Sequence, residues 1–234
     1  MNRPMIVAHR GASSLAAENT LAAYGKAVEI GADMIEFDVR ITRDGIMIAY
    51  HDPAIAGRPI GELTFREVNE LVRDRGFAVP AVAEVLQLTQ GRIRLDVELK
   101  ESGYEKELMD LILQYFPYEE FVITSFQDRA LLAVKQDYPR TRTGLLLGDG
   151  EPRRPWLLSL PELFPLERLA RIEADLIVAH YELLRLGFAD RMLRAGKSVY
   201  VWTVDEPSLL AKLLHDGRIA AVITNHPDQA LTLL

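Results

Sequence analysis

The sequence predicts a (β/α)8 barrel with a short insertion after its second strand. Three observations carry this. Short β-rich apolar runs alternate with helical patterns along the whole 234-residue chain. With one hairpin set aside, eight strands are each followed by a helix, and strict β-then-α alternation builds a parallel sheet. Eight such units in this length match a closed barrel, slightly small for its class. A doubly wound open sheet is the alternative. No linker, repeat or low-complexity tract divides the chain, so residues 1–234 read as one domain.

Met5–Ala8 is the first strand. Asn19–Ile30 is helical, with Leu21, Ala23, Ala27, Val28 and Ile30 among its apolar positions, and Gly31 closes it. Met34–Ile41 alternates at period two, and Ile46–Tyr50 pairs back on it across the Arg43-Asp44-Gly45 turn. Asp52 to Val79 interrupts the alternation and reads as the insertion. Inside it Thr64–Arg73 is helical, with Thr64 and Glu67 spaced as a capping box. Pro80–Gln90 is a helix started by Pro80 and stopped by Gly91. Strands at Ile93–Lys100, Phe121–Ser125 and Thr143–Leu147 alternate with helices at Tyr104–Tyr115 and Arg129–Tyr138. Asp149–Pro165 holds four prolines and no clear strand. Leu166–Ile172 is helical and Leu176–Ala179 a strand. Phe188–Ala195, Pro207–Leu214 and Pro227–Leu234 are helices, separated by strands at Ser198–Val204 and Ala220–Thr224.

Composition bounds the function. Hydrophobic residues make up 49% and charged residues 26%, which excludes a disordered or fibrous chain. Cysteine is absent, so disulfides, thiolate metal sites and cysteine nucleophiles are excluded. A net charge of −7 argues against a bulk electrostatic hold on nucleic acid, and leaves an anionic substrate to local cations or a metal. The apolar run before His9 is too short for a signal-peptide core, and no stretch approaches the ~20 apolar residues of a membrane span. The default expectation is a cytoplasmic protein.

Barrel enzymes carry their chemistry at the C-terminal ends of the strands. Here those ends hold His9-Arg10, Glu36 and Asp38, His51-Asp52, then Asp96, Glu98 and Lys100. Period two puts Glu36 and Asp38 on one strand face, with Ile35, Phe37 and Val39 on the other. Asp96, Glu98 and Lys100 likewise share a face opposite Leu95, Val97 and Leu99. In a barrel the apolar face meets the helices, so the acids point inward. Carboxylates crowded in a poorly hydrated pocket repel one another, and a divalent cation removes that penalty. All-oxygen ligands suit Mg²⁺ or Ca²⁺ better than zinc. The competing picture, two solvated edge strands, conflicts with the flanking βα units. Two histidines and two cations beside such a cluster describe phosphoryl chemistry better than carbon chemistry.

Other candidates carry less. Trp202 is placed equally well as barrel core or pocket wall, and Ser125-Phe126 as pocket lining or a strand-to-helix corner. His180 reads as a loop residue, His215 as a solvated helix end and His226 as the start of a helix. Arg140, Arg142, Arg153 and Arg154 read as solvated surface. The glycines from Gly144 to Gly150 match no phosphate-loop pattern.

An ordered set of motifs resembles the glycerophosphodiester phosphodiesterase family. It runs through His9-Arg10-Gly11, Glu18-Asn19-Thr20, Glu36-Phe37-Asp38 and His51-Asp52-Pro53. It continues through Pro80 to Leu86, Glu98-Leu99-Lys100, Ser125-Phe126, Trp202-Thr203-Val204 and Ile223-Thr224-Asn225-His226-Pro227. Each motif alone is weak; the ordered set spans residues 9 to 227 and is specific. The resemblance implies a TIM barrel that hydrolyses a small-molecule glycerophosphodiester to glycerol 3-phosphate and an alcohol. It implies one divalent cation, Mg²⁺ or Ca²⁺, on Glu36, Asp38 and Glu98, with His9 and His51 as the acid–base pair. Arg10 and Lys100 are similar to phosphate-contacting cations, and Phe126 and Trp202 to walls of the glycerol pocket. Glu18 and Asn19 match a motif that supports the first loop, although Asn19 also suits a helix cap.

Three departures stand out. The segment from Asp52 to Val79 is short and lacks the family's Arg-Thr-Thr run. Asp205 stands where the family often has Asn, and Asn225 where it often has Asp. Rival readings are a sphingomyelinase D-like or lysophospholipase D barrel, a catalytically silent barrel that binds a phosphate metabolite, and a metal-dependent aldolase or decarboxylase. Glu98 and the absence of cysteine count against the first. The complete His9, His51, Glu36, Asp38 and Glu98 set counts against the second. The third leaves Lys100 as the only lysine for a carbonyl.

Overall fold

The computed structural model describes residues 3–148 and 160–234. The chain runs β1 (Met5–Ala8), α1 (Leu21–Glu29), β2 (Met34–Ile41) and β3 (Met47–Ala49). A minimal hairpin of β4 (Ala54–Ile55) and β5 (Arg58–Pro59) leads to α2 (Phe65–Val72) and α3 (Val82–Thr89). Then come β6 (Arg94–Leu99), α4 (Glu105–Ile112), β7 (Phe121–Ser125), α5 (Asp128–Asp137) and β8 (Thr143–Leu147). The last part holds α6 (Leu160–Leu163), α7 (Leu166–Arg171), β9 (Leu176–His180), α8 (Phe188–Arg194), β10 (Ser198–Trp202), α9 (Pro207–Leu214), β11 (Ala221–Thr224) and α10 (Pro227–Thr232).

Eight strands close into a parallel barrel in the order β1-β2-β6-β7-β8-β9-β10-β11, with β11 pairing back on β1. Closure excludes the open sheet. The hairpin strand β3 runs antiparallel to β2 and stays outside the ring. Alternation sorts the side chains as period two requires. Ile35, Phe37, Val39, Leu95, Val97 and Leu99 pack outward, in the cluster shared with the helices. Inside, Val7, Met34, Val122, Leu176, Tyr200 and Ala221 belong to a separate apolar cluster. The acids stack beside it: register pairs Glu36 with Asp96 and Asp38 with Glu98 across β2 and β6.

Local differences from expectation have local causes. Helix α1 starts at Leu21 rather than Asn19, because Thr20 is its cap and accepts the Ala23 N–H at 3.2 Å. Asn19 lies in the left-handed region at φ 53°, outside the helix, and is therefore not the cap. The strand expected to stop at Ala179 runs on to His180, so His180 ends a barrel strand and is not a loop residue. The Thr64 and Glu67 capping box forms as expected. Residues 52–79 include the β4–β5 hairpin, which has no period-two signal to announce it. Their apolar side chains Ile55, Ile60, Leu63, Val68, Val72 and Val79 join Ile48 in a cluster of their own. The irregular stretch expected at 149–165 lies mostly outside the described residues, as do Arg153 and Arg154; its described end carries the short helix α6. Among the described residues no helix is long and apolar enough to cross a membrane.

Candidate active site

Glu36 and Asp38 on β2 and Glu98 on β6 are buried side by side, and each offers an oxygen within 4.8 Å of the others. Their partners differ, and the differences set their charge. Asp38 Oδ1 accepts from Lys100 Nζ at 2.8 Å and Oδ2 from Asn19 Nδ2 at 2.7 Å, with Arg10 Nε at 3.4 Å. Burial alone would raise its pKa; Lys100, Arg10 and His51 outweigh burial and hold it at about 2. Glu98 shares Lys100 Nζ at 2.6 Å, yet burial pushes it up to about 7. Among the described residues Glu36 has only the Arg10 backbone N–H, which donates to Oε2 at 2.8 Å. Its Oε1 is buried with no hydrogen-bond partner among the described residues. Burial, then the neighbouring Asp38 and Glu98, push Glu36 well above the carboxylate range. One layer away, Asp96 accepts from Thr124 Oγ1 at 2.7 Å, and burial raises it to about 7.

This donor set fits a hard divalent cation. It is all oxygen, and among the described residues three carboxylates face two cations and one buried carboxylate oxygen is unclaimed.

The two histidines differ as well. His9 follows β1, and its Nδ1 lies 2.7 Å from Asn225 Oδ1. Its Nε2 lies 3.9 Å from Glu36 Oε2. Burial and the adjacent Arg10 lower its pKa to about 4, so the ring is neutral at pH 7. His51 follows β3 and is more open; its Nδ1 lies 2.8 Å from Asp52 Oδ1, and its backbone carbonyl accepts from Arg40 Nε at 2.9 Å.

A cavity of about 310 Å³ unites them. Its polar side carries His9, Arg10, Glu36, His51, Glu98 and Lys100. Its apolar side carries Phe126, Leu146, Val178, Trp202 and Ile223. Trp202 is therefore pocket wall. Its indole N–H donates to the Leu147 and Val178 carbonyls, both at 3.2 Å, and Phe126 and His180 each meet its ring edge-on. Asp38, Asn19 and Glu18 stand behind the wall. Asn19 bonds Asp38, and Glu18 accepts from Arg10 at 2.8 Å while remaining half exposed. Thr124, Asp205 and Asn225 also take part in the site's hydrogen bonds, and nothing in the residue pattern alone marks them as site residues. Asp205 adjoins and Asn225 lies within a family-like motif, and their signal is that each departs from the residue the family often has there.

Gly11 sets the loop that carries His9 and Arg10. Its φ is +81°, and a Cβ there would sit 2.7 Å from the Ala23 carbonyl carbon. Gly11→Ala is expected to destabilise the protein by about 2–4 kcal/mol, through left-handed strain plus a backbone clash. Urea unfolding checks this; an unchanged midpoint would show that the loop yields freely.

The chain matches the model of the glycerophosphoryl diester phosphodiesterase family over residues 9–229. It is 28% identical over 250 residues to a glycerophosphodiester phosphodiesterase of Caldanaerobacter subterraneus subsp. tengcongensis, covering 99% of this chain and 98% of that protein. It is 30% identical over 241 residues to YhdW of Bacillus subtilis, covering 95% of each. Its fold superposes with a TM-score of 0.83 on an Oleispira antarctica phosphodiesterase solved with sn-glycerol-3-phosphate, at 24% identity over 99% of this chain and 96% of that one. A family match reaching from the first histidine of the cavity to the last helix, over a barrel of the same shape, leaves one assignment: the chain belongs to the glycerophosphoryl diester phosphodiesterase family.

Proposed function

We propose that this chain hydrolyses glycerophosphodiesters to glycerol 3-phosphate and an alcohol, with residues 1–234 acting as one domain. The observation that carries this is the cavity itself. It presents two histidines, Glu36, Glu98 and two cations on one side, with Asp38 behind them and within 4.8 Å of both acids, and an aromatic wall on the other. Glu36, Asp38 and Glu98 would hold Mg²⁺ or Ca²⁺. A cation there supplies charge neutralisation at the phosphate oxygens.

The chain's own residues supply the rest. Arg10 and Lys100 place positive charge beside the phosphate, where guanidinium and ammonium groups make charge-assisted hydrogen bonds. Phe126 and Trp202 cover the carbon face of the glycerol and exclude water from that side. Glu18 and Asn19 hold Arg10 and Asp38 in place. Attack by water, or by the glycerol 2-hydroxyl, forms one P–O bond and releases one proton to a histidine. The P–O bond to the alcohol breaks, and the other histidine delivers a proton to the departing oxygen. After attack by the 2-hydroxyl the product is a cyclic phosphodiester, and water then adds at phosphorus and breaks the P–O2 bond to give glycerol 3-phosphate, the same pair of histidines exchanging roles.

Phosphorus NMR of glycerophosphocholine with purified protein and Mg²⁺ or Ca²⁺ tests this. The expected result is conversion of the diester signal to glycerol 3-phosphate, with stoichiometric choline. Choline released only from lysophosphatidylcholine would transfer the chain to the lipid-directed reading. Silence on both would leave a barrel that binds without turnover.

A further inference from the structure

His9 is backed by a pair of side chains that the mechanism above does not use. Asp205 follows β10 and Asn225 follows β11, neighbouring strands of the barrel. Asp205 Oδ1 accepts from the Asn225 backbone N–H at 2.9 Å and from Thr224 Oγ1 at 3.1 Å. Asp205 Oδ2 accepts from Asn225 Nδ2 at 2.6 Å.

The donor–acceptor inventory then leaves no freedom. A carboxylate only accepts, so the Asn225 amide must turn its NH₂ to Asp205 and its carbonyl oxygen away. That oxygen accepts from Ser13 Oγ at 3.0 Å and lies 2.7 Å from His9 Nδ1. An amide oxygen also only accepts, so His9 Nδ1 must carry a proton. This holds whether the ring is neutral or charged. The proton that His9 gains or loses is therefore always the one on Nε2. That nitrogen lies 3.9 Å from Glu36 Oε2, and the ring lines the cavity.

We infer that Asp205, acting through Asn225, is a positioning residue that confines proton exchange on His9 to Nε2. The inference rests on the proposed role of His9. Orienting an imidazole through a hydrogen bond on its far nitrogen is a general device, and losing the orienting group typically lowers activity about 10–100-fold.

The test is a reciprocal exchange. In Asp205→Asn two amides face each other, and Asn225 is free to flip its NH₂ toward His9, which moves the ring proton to Nε2. In Asn225→Asp two carboxylates meet at the position of a 2.6 Å hydrogen bond. In the double variant Asp205→Asn/Asn225→Asp the amide at 205 donates to the carboxylate at 225. That carboxylate accepts from Nδ1, and the original polarity returns. The expected result is a kcat loss on the order of 100-fold in Asp205→Asn with KM nearly unchanged, and recovery to within about tenfold in the double variant. Nitrogen NMR of the His9 ring is expected to show the Nδ1 proton in the wild type and double variant, and its displacement in Asp205→Asn. Asn225→Ala removes the acceptor without repulsion and is expected to lose both the fixed proton and kcat, should a single exchange fail to fold. An unmoved Nδ1 proton with kcat within about threefold in Asp205→Asn and Asn225→Ala would overturn the inference and leave a loop-joining contact. Full turnover in His9→Ala would instead remove the role proposed for His9, while the ring spectra would still judge the relay.

Discussion

Glu36→Gln is expected to cut turnover of a glycerophosphodiester by at least about 10³-fold and, in EDTA, to raise the thermal midpoint of the same protein. The two effects have one cause. Glu36 is buried among carboxylates, its Oε1 has no partner among the described residues, and only one N–H reaches Oε2. Its position is unfavourable for folding and favourable for a divalent cation. Glutamine keeps the shape and removes the cost of burying that charge or of taking up a proton to cancel it, worth about 1–2 kcal/mol, or about 2–4 °C per kcal/mol for a domain of this size. It also removes one of three anionic ligands. Mg²⁺ or Ca²⁺ should therefore raise the wild-type midpoint and leave the variant almost unmoved, since a ligand stabilises only what it binds. Calorimetry with and without EDTA, beside the activity assay, reads both effects. A variant that is less stable without metal, or one that keeps wild-type turnover, would show that Glu36 is held for packing instead.

Much of this site was legible in the residue order. Period two alone separated Glu36 and Asp38 from Phe37, and Asp96 and Glu98 from Val97, and the barrel register then brought the two acid pairs side by side. What period two cannot show is which acid keeps a partner. Asn19 looked equally able to cap a helix. It bonds Asp38 because Thr20 takes the cap and the chain turns left-handed at Asn19. Asp205 and Asn225 looked like two unrelated departures from a motif. They lie 20 residues apart and are hydrogen-bonded to each other, a fact that only adjacent strand ends can reveal. His180 reads as a loop residue because the apolar run stops at Ala179; the strand runs one residue further and sets His180 edge-on against Trp202. Trp202 lies within the expected strand, and only the closed barrel shows that its ring lines the cavity. The hairpin within 52–79 left no trace at all, because strands of two residues have no pattern to read.

Freed of metal, the protein is expected to lose stability as pH rises from about 5 to about 8, by on the order of a few kcal/mol. The sign follows from proton counts. Asp96 and Glu98 are pushed up to about 7 in the folded chain, against 3.8 and 4.5 for the free groups, and Glu36 is raised well above its own free value in the same direction. Above the unfolded values the folded state therefore holds more protons than the unfolded one, and stability falls with pH until the folded values are passed. Two groups oppose or stand aside. His9 is lowered from 6.5 to about 4, so its contribution is complete above 6.5 and is lost as pH falls toward 4. It is one group against three, and above pH 6.5 it no longer acts. Asp38, held at about 2, matters only below its free value of 3.8. A bound divalent cation takes the place of those protons, so added Mg²⁺ or Ca²⁺ should restore stability most at the alkaline end and flatten the profile. Urea midpoints across this pH range, with EDTA and then with metal, measure it. A midpoint that climbs steadily with pH in EDTA would mean that Lys100 and Arg10 already neutralise the acids, and that the cluster has no electrostatic need of a cation.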